Sequence, residues 1–276
     1  MTWFTLPTLR TGVRAGVLVV ALGAGSLLGP TRADAIIGGE EDGTGHPYVG
    51  AIDARPTGAP IFTSSGVLVS PTVFLTAGHA TRRFEAAGLT QASVTFDPVA
   101  SDSSPWYTGT VHTNPAFDPS SATDPGDLGV IVFETPVAGV TPASLPAAHL
   151  LDDLGPGDLS RTRLEVVGYG VSRSSGGADG GGRPLPDFGS TGTRRVAGQI
   201  STALTSAWLR LRMDGEAEIC IGDSGAPSLF GDSNVVAGIT IGQRSLAGGQ
   251  CESQPWDMRV DTPSARAFLG RYVALP

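Results

Sequence analysis

The sequence predicts an all-β protein, built as a barrel or a sandwich of many short strands. Its 276 residues include 39 glycines and 21 prolines, and the hydrophobic content of 40% is ordinary for a globular protein. The apolar runs are short and end at turn residues, which favours strands over long helices.

Eight segments carry β-branched or aromatic residues between turn signals and are predicted strands. They are residues 47–52, 66–69, 73–76, 92–96, 128–133, 164–169, 207–213 and 235–241. The segment from Ser174 to Pro184 is predicted to be an exposed, flexible loop, because glycine dominates its middle part.

Only the C-terminal end, residues 262–274, is predicted to be helical. Thr262 is a suitable N-cap, and Pro263 fits the first helical position. One apolar stripe at helical spacing follows, formed by Phe268, Leu269, Tyr272 and Val273.

Residues 1–35 are predicted to be a secretory signal peptide of the Sec type. Arg10 and Arg14 form a basic region, residues 15–28 are apolar or small, and Ala33-Asp34-Ala35 is an A-x-A cleavage pattern. The apolar run is shorter than the about 20 residues that cross a bilayer, although a retained anchor is the alternative. We expect cleavage after Ala35 and a secreted, extracellular protein without membrane attachment.

The charge composition argues against a nucleic-acid-binding protein. The net charge is −8 and all 18 basic residues are arginine, whereas nucleic-acid surfaces need basic patches. No metal-ligand spacing is evident, so we expect neither a metal nor a cofactor. Cys220 and Cys251 are the only cysteines, and export permits a disulfide between them; two free thiols are the alternative.

Ser224 lies in the tetrapeptide Gly222-Asp223-Ser224-Gly225. The glycines let the backbone turn sharply and direct consecutive N–H groups into one concavity, which would stabilise an oxyanion beside the serine hydroxyl. A tight polar turn is the alternative interpretation.

His79 and Asp127 are the other candidates for catalysis. His79 follows a predicted strand at a turn of small residues, and Asp127 precedes the apolar strand 128–133. Taken singly, each residue is more often structural. Taken together with Ser224 they matter more, because a serine nucleophile needs a base and the base needs an orienting carboxylate. The other histidines, His46, His112 and His149, match no catalytic motif.

Four motifs in this order resemble those of trypsin-like (chymotrypsin-fold) serine proteases. They are I-I-G-G from Ile36, T-A-G-H ending at His79, D-L-G-V-I-V-F from Asp127, and C-I-G-D-S-G-A-P around Ser224. The resemblance runs from residue 36 to about residue 270 and is closest to secreted bacterial members, because Ala80 replaces a cysteine common next to the histidine.

The resemblance implies two packed six-stranded antiparallel β-barrels followed by a short C-terminal α-helix. The first barrel would cover residues 36–155, the second about 156–261, and the helix about 262–274. The active site would lie in the cleft between the barrels. The implied activity is that of a monomeric serine endopeptidase that cleaves polypeptides through an acyl-enzyme.

The resemblance also implies a role for each catalytic residue. Ser224 would be the nucleophile, His79 the general base, and Asp127 the carboxylate that orients His79. The backbone N–H groups of Gly222 and Ser224 would form the oxyanion hole.

The resemblance also implies an ion pair and a disulfide. The α-ammonium of a new N-terminal Ile36 would pair with Asp223 and organise the oxyanion turn. A disulfide between Cys220 and Cys251 would tie the serine loop to the wall of the specificity pocket.

The predicted specificity pocket departs from the family pattern. By spacing, Glu218 occupies the base of the pocket, where an acid favours arginine or lysine in the substrate. Gly242 lies where the substrate-pairing strand usually reads S-W-G, and Trp256 would narrow or cap the pocket. A protease-fold protein that binds a polypeptide or surface ligand and cleaves poorly is the alternative, and an esterase is less favoured because no G-x-S-x-G elbow is present.

Overall fold

The computed structural model describes residues 1–2, 36–53, 62–178, 184–187, 192–242, 251 and 253–276. The chain divides into two compact units, Met1–Thr31 and Arg32–Pro276. Apart from Met1 and Thr2, the predicted signal peptide lies outside the described residues. Within the described ranges, no helix is long and apolar enough to cross a membrane.

The described part of the second unit contains mostly strands and three short helices. The strands are β1 (Glu40–Glu41), β2 (Val49–Asp53), β3 (Phe62–Ser70), β4 (Val73–Thr76), β5 (Gln91–Thr95), β6 (Tyr107–Thr113), β7 (Gly129–Phe133), β8 (Arg163–Gly168), β9 (Ser172–Ala178), β10 (Pro184–Asp187), β11 (Arg195–Leu204), β12 (Trp208–Met213), β13 (Pro227–Phe230), β14 (Val236–Thr240) and β15 (Trp256–Arg259). The helices are α1 (Gly78–Ala86), α2 (Leu150–Leu159) and α3 (Pro263–Leu269).

Six antiparallel strands close the first barrel in the order β2-β3-β4-β7-β6-β5. Aromatic rings fill part of its interior: Phe74 packs edge-on against Phe96 with ring centroids 5.7 Å apart, and Tyr107 lies 6.2 Å from Phe133. A β-carbon on Gly66 would overlap the Phe74 ring, so a glycine is required at this point of β3.

The second barrel has the order β8-β11-β12-β15-β14-β13, and β13 returns to β8 to close it. The short strand β1 pairs with β11, so the segment after Ile36 is attached to the second barrel although it precedes the first in the chain. The predicted fold class of two six-stranded antiparallel barrels with a short C-terminal helix is confirmed.

Two helices were not predicted from the sequence, so the prediction that only the C-terminal end is helical is wrong. Helix α1 replaces the small-residue turn expected at His79, and it is held by its buried Phe84. Helix α2 is two short helices that meet at a kink at Gly155, where φ is 68°, and it buries Leu151 and Leu159.

The predicted glycine-rich loop also needs correction. Residues 174–178 belong to β9, which pairs with β10 in a two-stranded sheet, since backbone pairing does not require side chains. The central residues 179–183 of the predicted loop lie outside the described residues. Helix α3 begins as predicted, because the Thr262 side chain accepts a hydrogen bond from Ala265 N, but it ends at Leu269 rather than near residue 274.

Arg194 joins the two barrels through buried hydrogen bonds. Its side chain is 1% exposed, and its Nε donates to Asp42 at 2.6 Å. Its Nη1 donates to the carbonyl oxygens of Val49 and Phe96 and to the Tyr169 hydroxyl. A buried guanidinium that satisfies this many acceptors fixes the position of β2 of the first barrel relative to Tyr169 at the end of β8.

Candidate active site

His79 lies in the first turn of α1 and contacts Asp127 through two groups. Its backbone N–H donates to Asp127 Oδ1 at 2.6 Å, and its ring Nδ1 lies 3.0 Å from Asp127 Oδ2. A carboxylate at this distance selects the tautomer with the proton on Nδ1, which leaves Nε2 as a proton acceptor. The His79 side chain is 24% exposed and Asp127 is buried, so the ring is accessible to solvent while the carboxylate that contacts it is shielded.

The close approach of His79 to Asp127 depends on Gly78. A β-carbon at this position would lie 2.8 Å from the backbone nitrogen of Leu128, so any larger residue would push α1 away from β7. On the other side, Gly126 adopts a φ of 60°, and its carbonyl accepts a hydrogen bond from Asn114 Nδ2. These local features place the carboxylate of Asp127 at the start of the helix.

Ser224 lies half-buried in a tight turn of the second barrel. Gly222 and Gly225, two residues before and one after it, have φ values of 96° and 88°, which side chains rarely adopt. A β-carbon on Gly225 would lie 3.1 Å from Ala77 N and would overlap Ser65 O. The turn of Ser224 therefore packs directly against the segment that leads into His79.

The first barrel holds the Ser224 turn through two serines on β3. The Ser224 carbonyl accepts hydrogen bonds from Ser65 N at 2.9 Å and from Ser64 Oγ at 2.5 Å. Ser65 Oγ donates to the Gly222 carbonyl at 2.8 Å and accepts a hydrogen bond from Tyr169 N. These serines could not be identified from a sequence motif, because they form hydrogen bonds with backbone groups that lie far away in the sequence.

Within the described part of the chain the backbone N–H groups of Gly222 and Ser224 have no protein acceptor, whereas Asp223 N donates to Cys220 O and Gly225 N to Thr240 O. In the same part of the chain no hydrogen bond joins the Ser224 hydroxyl to the His79 ring. Catalytic hydrogen bonds are often long or poorly aligned until a substrate is bound.

Asp223 is completely buried and has only hydrogen-bond donors as partners. Its Oδ1 accepts from Gly170 N and its Oδ2 from Cys220 N, both at 2.9 Å. Burial raises the pKa of Asp223 to about 7, although the two N–H donors oppose this shift. Among the described residues no cationic side chain pairs with Asp223, so a positive charge brought to this carboxylate would relieve the cost of its burial.

Ile36 is buried beside the same turn. It has no exposed surface and belongs to a buried cluster with Ile219 and Ala226, which flank the segment of Asp223. The next residue, Ile37, accepts a hydrogen bond from Glu218 N at 2.9 Å. The segment predicted to become the new N-terminus is thus fixed next to the Ser224 turn.

The cysteine prediction is confirmed, since Cys220 and Cys251 form a disulfide. Its first cysteine lies two residues before Gly222, and its carbonyl accepts the hydrogen bond from Asp223 N. The bond therefore connects the Ser224 turn to the segment that precedes β15.

The three residues predicted for the specificity pocket lie at different depths. Glu218 is partly exposed and forms an isolated bridge with Ile37. A β-carbon on Gly242 would lie 3.8 Å from Ser224 Oγ, so Gly242 faces the serine. The Trp256 ring stacks under the Arg210 guanidinium at 4.5 Å and packs edge-on against Trp208, both on β12.

The comparisons agree with this arrangement. The family model described as Trypsin matches residues 36–255. A structure of HL collagenase is similar with a TM-score of 0.62 and 19% identity, over 82% of this chain and 94% of that one. A structure of a mutant of human heparin binding protein is similar with a TM-score of 0.57 and 16% identity, over 86% of this chain and 96% of that one. No curated protein matches the sequence.

Proposed function

The chain belongs to the trypsin family of serine proteases, and from this premise we propose that it is a secreted endopeptidase that acts through an acyl-enzyme. The observation that carries the proposal is the double hydrogen bond from His79 to Asp127, which leaves Nε2 of the partly exposed ring as a base. The free N–H groups beside Ser224 supply the second requirement, a site for negative charge.

In the proposed mechanism the Ser224 oxygen attacks the peptide carbonyl carbon while His79 Nε2 takes the hydroxyl proton. The N–H groups of Gly222 and Ser224 stabilise the oxyanion of the tetrahedral intermediate. When the carbon–nitrogen bond breaks, His79 gives its proton to the leaving amine. Water then attacks the Ser224 ester by the reverse sequence, and Asp127 stabilises the positively charged His79 ring in both halves.

We also propose that cleavage of the signal peptide activates the enzyme. Cleavage after Ala35 would convert the Ile36 amide into an α-ammonium on a residue packed beside the Ser224 turn, where Asp223 has no cationic partner among the described side chains. The ammonium would pair with Asp223, lower its pKa again and hold the turn that presents Gly222 and Ser224. No separate propeptide would then be needed.

Labelling with a serine-directed fluorophosphonate tests the proposed function. The secreted protein should be labelled, and the Ser224→Ala variant should not. Ser93→Ala, on an exposed part of β5, is the matched control and should be labelled like the wild type. Absent labelling of the wild type, or equal labelling of Ser224→Ala, would refute a serine enzyme and favour a protein that only binds its ligand.

Binding of heparin, suggested by one of the similar structures, is not proposed for this chain. A polyanion requires basic patches, whereas this chain has a net charge of −8. If labelling fails, a polypeptide ligand therefore remains the expected class.

A further inference from the structure

Arg82 and Arg83 are two adjacent, exposed cations in α1, the helix that bears His79. Neither side chain forms a hydrogen bond or an ion pair with any residue that the structure describes. The chain has a net charge of −8, so a pair of neighbouring cations without a counter-ion is a distinct feature of its surface.

The helical repeat places both arginines on the same side of α1 as His79. They follow His79 by three and four residues, and side chains at these spacings are neighbours on a helix surface. The opposite side of the helix is buried and contains Thr81 and Phe84. His79, Arg82 and Arg83 therefore form one continuous polar face.

The two arginine side chains extend toward the catalytic centre. Side chains of an α-helix point back toward its N-terminus, so those of Arg82 and Arg83 cover the turn that precedes them. That turn carries His79, because α1 begins at Gly78. A molecule that contacts the exposed part of the His79 ring is therefore within reach of both guanidinium groups.

The stability of α1 does not account for this pair of cations. The helix dipole favours a cation in the last turn, and this turn includes Arg83 but not Arg82. Glu85 follows Arg82 by three residues, but its Oε1 accepts a hydrogen bond from Thr113 N at 3.2 Å. Among the described residues Glu85 forms no ion pair with Arg82, so a partner from outside the chain remains to be identified.

The proposed mechanism determines which part of a substrate passes the arginines. The part before the cleaved bond stays attached to Ser224 in the acyl-enzyme, whereas the leaving amine receives its proton from His79. Gly242, which faces Ser224 Oγ, follows β14 of the second barrel, and α1 follows β4 of the first. The residues after the cleaved bond therefore lie on the side of His79 and α1.

We propose that Arg82 and Arg83 bind acidic side chains in the first two residues after the cleaved bond, so that the enzyme prefers glutamate or aspartate there. A guanidinium binds a carboxylate through two parallel N–H donors, which suits arginine to this role. Both arginines are specificity-determining residues and take no part in the proton transfers. This inference rests on the proposed function and names its substrate class.

The test measures how the acyl-enzyme divides between water and an added amine. A chromogenic peptide ester forms the acyl-enzyme on Ser224, and a dipeptide amide then takes the place of the leaving group. Its amine gives a proton to His79 as the nitrogen bonds to the acyl carbon, and Ser224 regains a proton as its ester bond breaks. Glu-Glu-amide and Gln-Gln-amide have nearly the same shape, so the ratio of their transfer rates measures recognition of the charge.

At low ionic strength the wild type should transfer the acyl group roughly 3- to 10-fold faster to Glu-Glu-amide, the size expected for two exposed ion pairs. In about 1 M salt, where the Debye length is about 3 Å, the ratio should approach about 1. The double variant Arg82→Gln, Arg83→Gln should have a ratio of about 1 at both salt concentrations. Arg82→Glu, Arg83→Glu should reverse the preference, and Arg82→Lys, Arg83→Lys, which keeps both charges, should retain it.

Arg161→Gln is the matched control, because Arg161 is an exposed arginine that pairs with Asp158 of α2, and it should leave the ratio unchanged. Two results would overturn the inference. One is a wild-type enzyme without preference for Glu-Glu-amide at low ionic strength, and the other is a preference that persists in Arg82→Gln, Arg83→Gln. Fluorophosphonate labelling of Ser224 in the same samples separates this failure from failure of the proposed function or of folding, since labelling needs no group after the cleaved bond.

Discussion

The Asp127 carboxylate accepts hydrogen bonds from both the backbone N–H and the ring of His79, at 2.6 and 3.0 Å. Helix α1 has no side-chain cap at Ala77, so Asp127 also satisfies a free N–H of the first helical turn. Its negative charge is favourable at this end of the helix. One carboxylate thus fixes the position of His79 and the tautomer of its ring.

The first prediction follows from this double role. In Asp127→Asn the side-chain amide would stabilise the wrong His79 tautomer, and kcat should fall roughly 10⁴-fold, the size typical of such a change. Thermal unfolding should change little, because the amide oxygen can still accept from the His79 backbone N–H. A variant that keeps more than a tenth of wild-type kcat would contradict the orienting role of Asp127.

The second prediction concerns the cleavage position. A chain that begins at Ile36 should be active, and a chain extended by one residue to begin at Ala35 should lose at least about 100-fold in kcat, since its ammonium is displaced from Asp223. N-terminal sequencing of the secreted protein should find Ile36. Equal activity of both chains would show that the terminus does not organise the turn.

The third prediction concerns pH and Asp223. Its pKa in the folded, uncleaved chain is about 7, above the ordinary value near 4, so the unfolded chain loses its proton first as pH rises. The free energy of unfolding of the uncleaved chain should therefore decrease between about pH 4 and pH 7. In urea titrations, the free energy of unfolding of Asp223→Asn should decrease less over this pH range than that of the wild type. An identical decrease would contradict the raised pKa of Asp223. Asp257→Asn is measured in parallel, because burial raises the pKa of Asp257 in the same way.

The fourth prediction concerns Ser65. Ser65→Ala removes the hydrogen bond to the Gly222 carbonyl and the acceptor for Tyr169 N. Leaving these buried groups unpaired should cost about 1–3 kcal/mol of unfolding free energy. Because the Gly222 carbonyl belongs to the oxyanion turn, kcat should fall as well. Ser93→Ala, on the surface of the same barrel, should change neither quantity.

The fifth prediction concerns the disulfide. The cysteines are 31 residues apart, and in the chain-entropy model a loop of this length contributes roughly 3–4 kcal/mol. The double variant Cys220→Ser, Cys251→Ser should lose about this free energy of unfolding. An unchanged denaturation midpoint would show that the bond adds nothing to stability.

Apolar segments between turns are local features, so the sequence predicted an all-β class, five of the six strands of the first barrel and three of the six strands of the second. It missed β6, in which polar residues alternate with small ones, β13, which begins with Pro227, and also β11 and β15. The helix at His79 was missed because its stability comes from the buried Phe84 and from Asp127, a residue distant in sequence.

In the candidate site, too, the sequence indicates some of the residues and does not reveal others. Ser224, His79 and Asp127 lie in short motifs whose residue types suit serine catalysis, so the sequence alone indicates them as candidates. Their support could not be identified, since Ser65 contacts Gly222 across 157 residues. Contacts of this kind depend on register, which a single sequence does not reveal.

The formation of an acyl-enzyme on Ser224 tests the central claim most directly. Mixing the protein with a chromogenic peptide ester should release a rapid burst of about one leaving group per protein molecule, and mass spectrometry of the quenched sample should locate the acyl group on Ser224. Ser224→Ala should show neither. Substrate turnover without a burst and without an adduct on Ser224, or an adduct on another residue, would contradict the proposed mechanism.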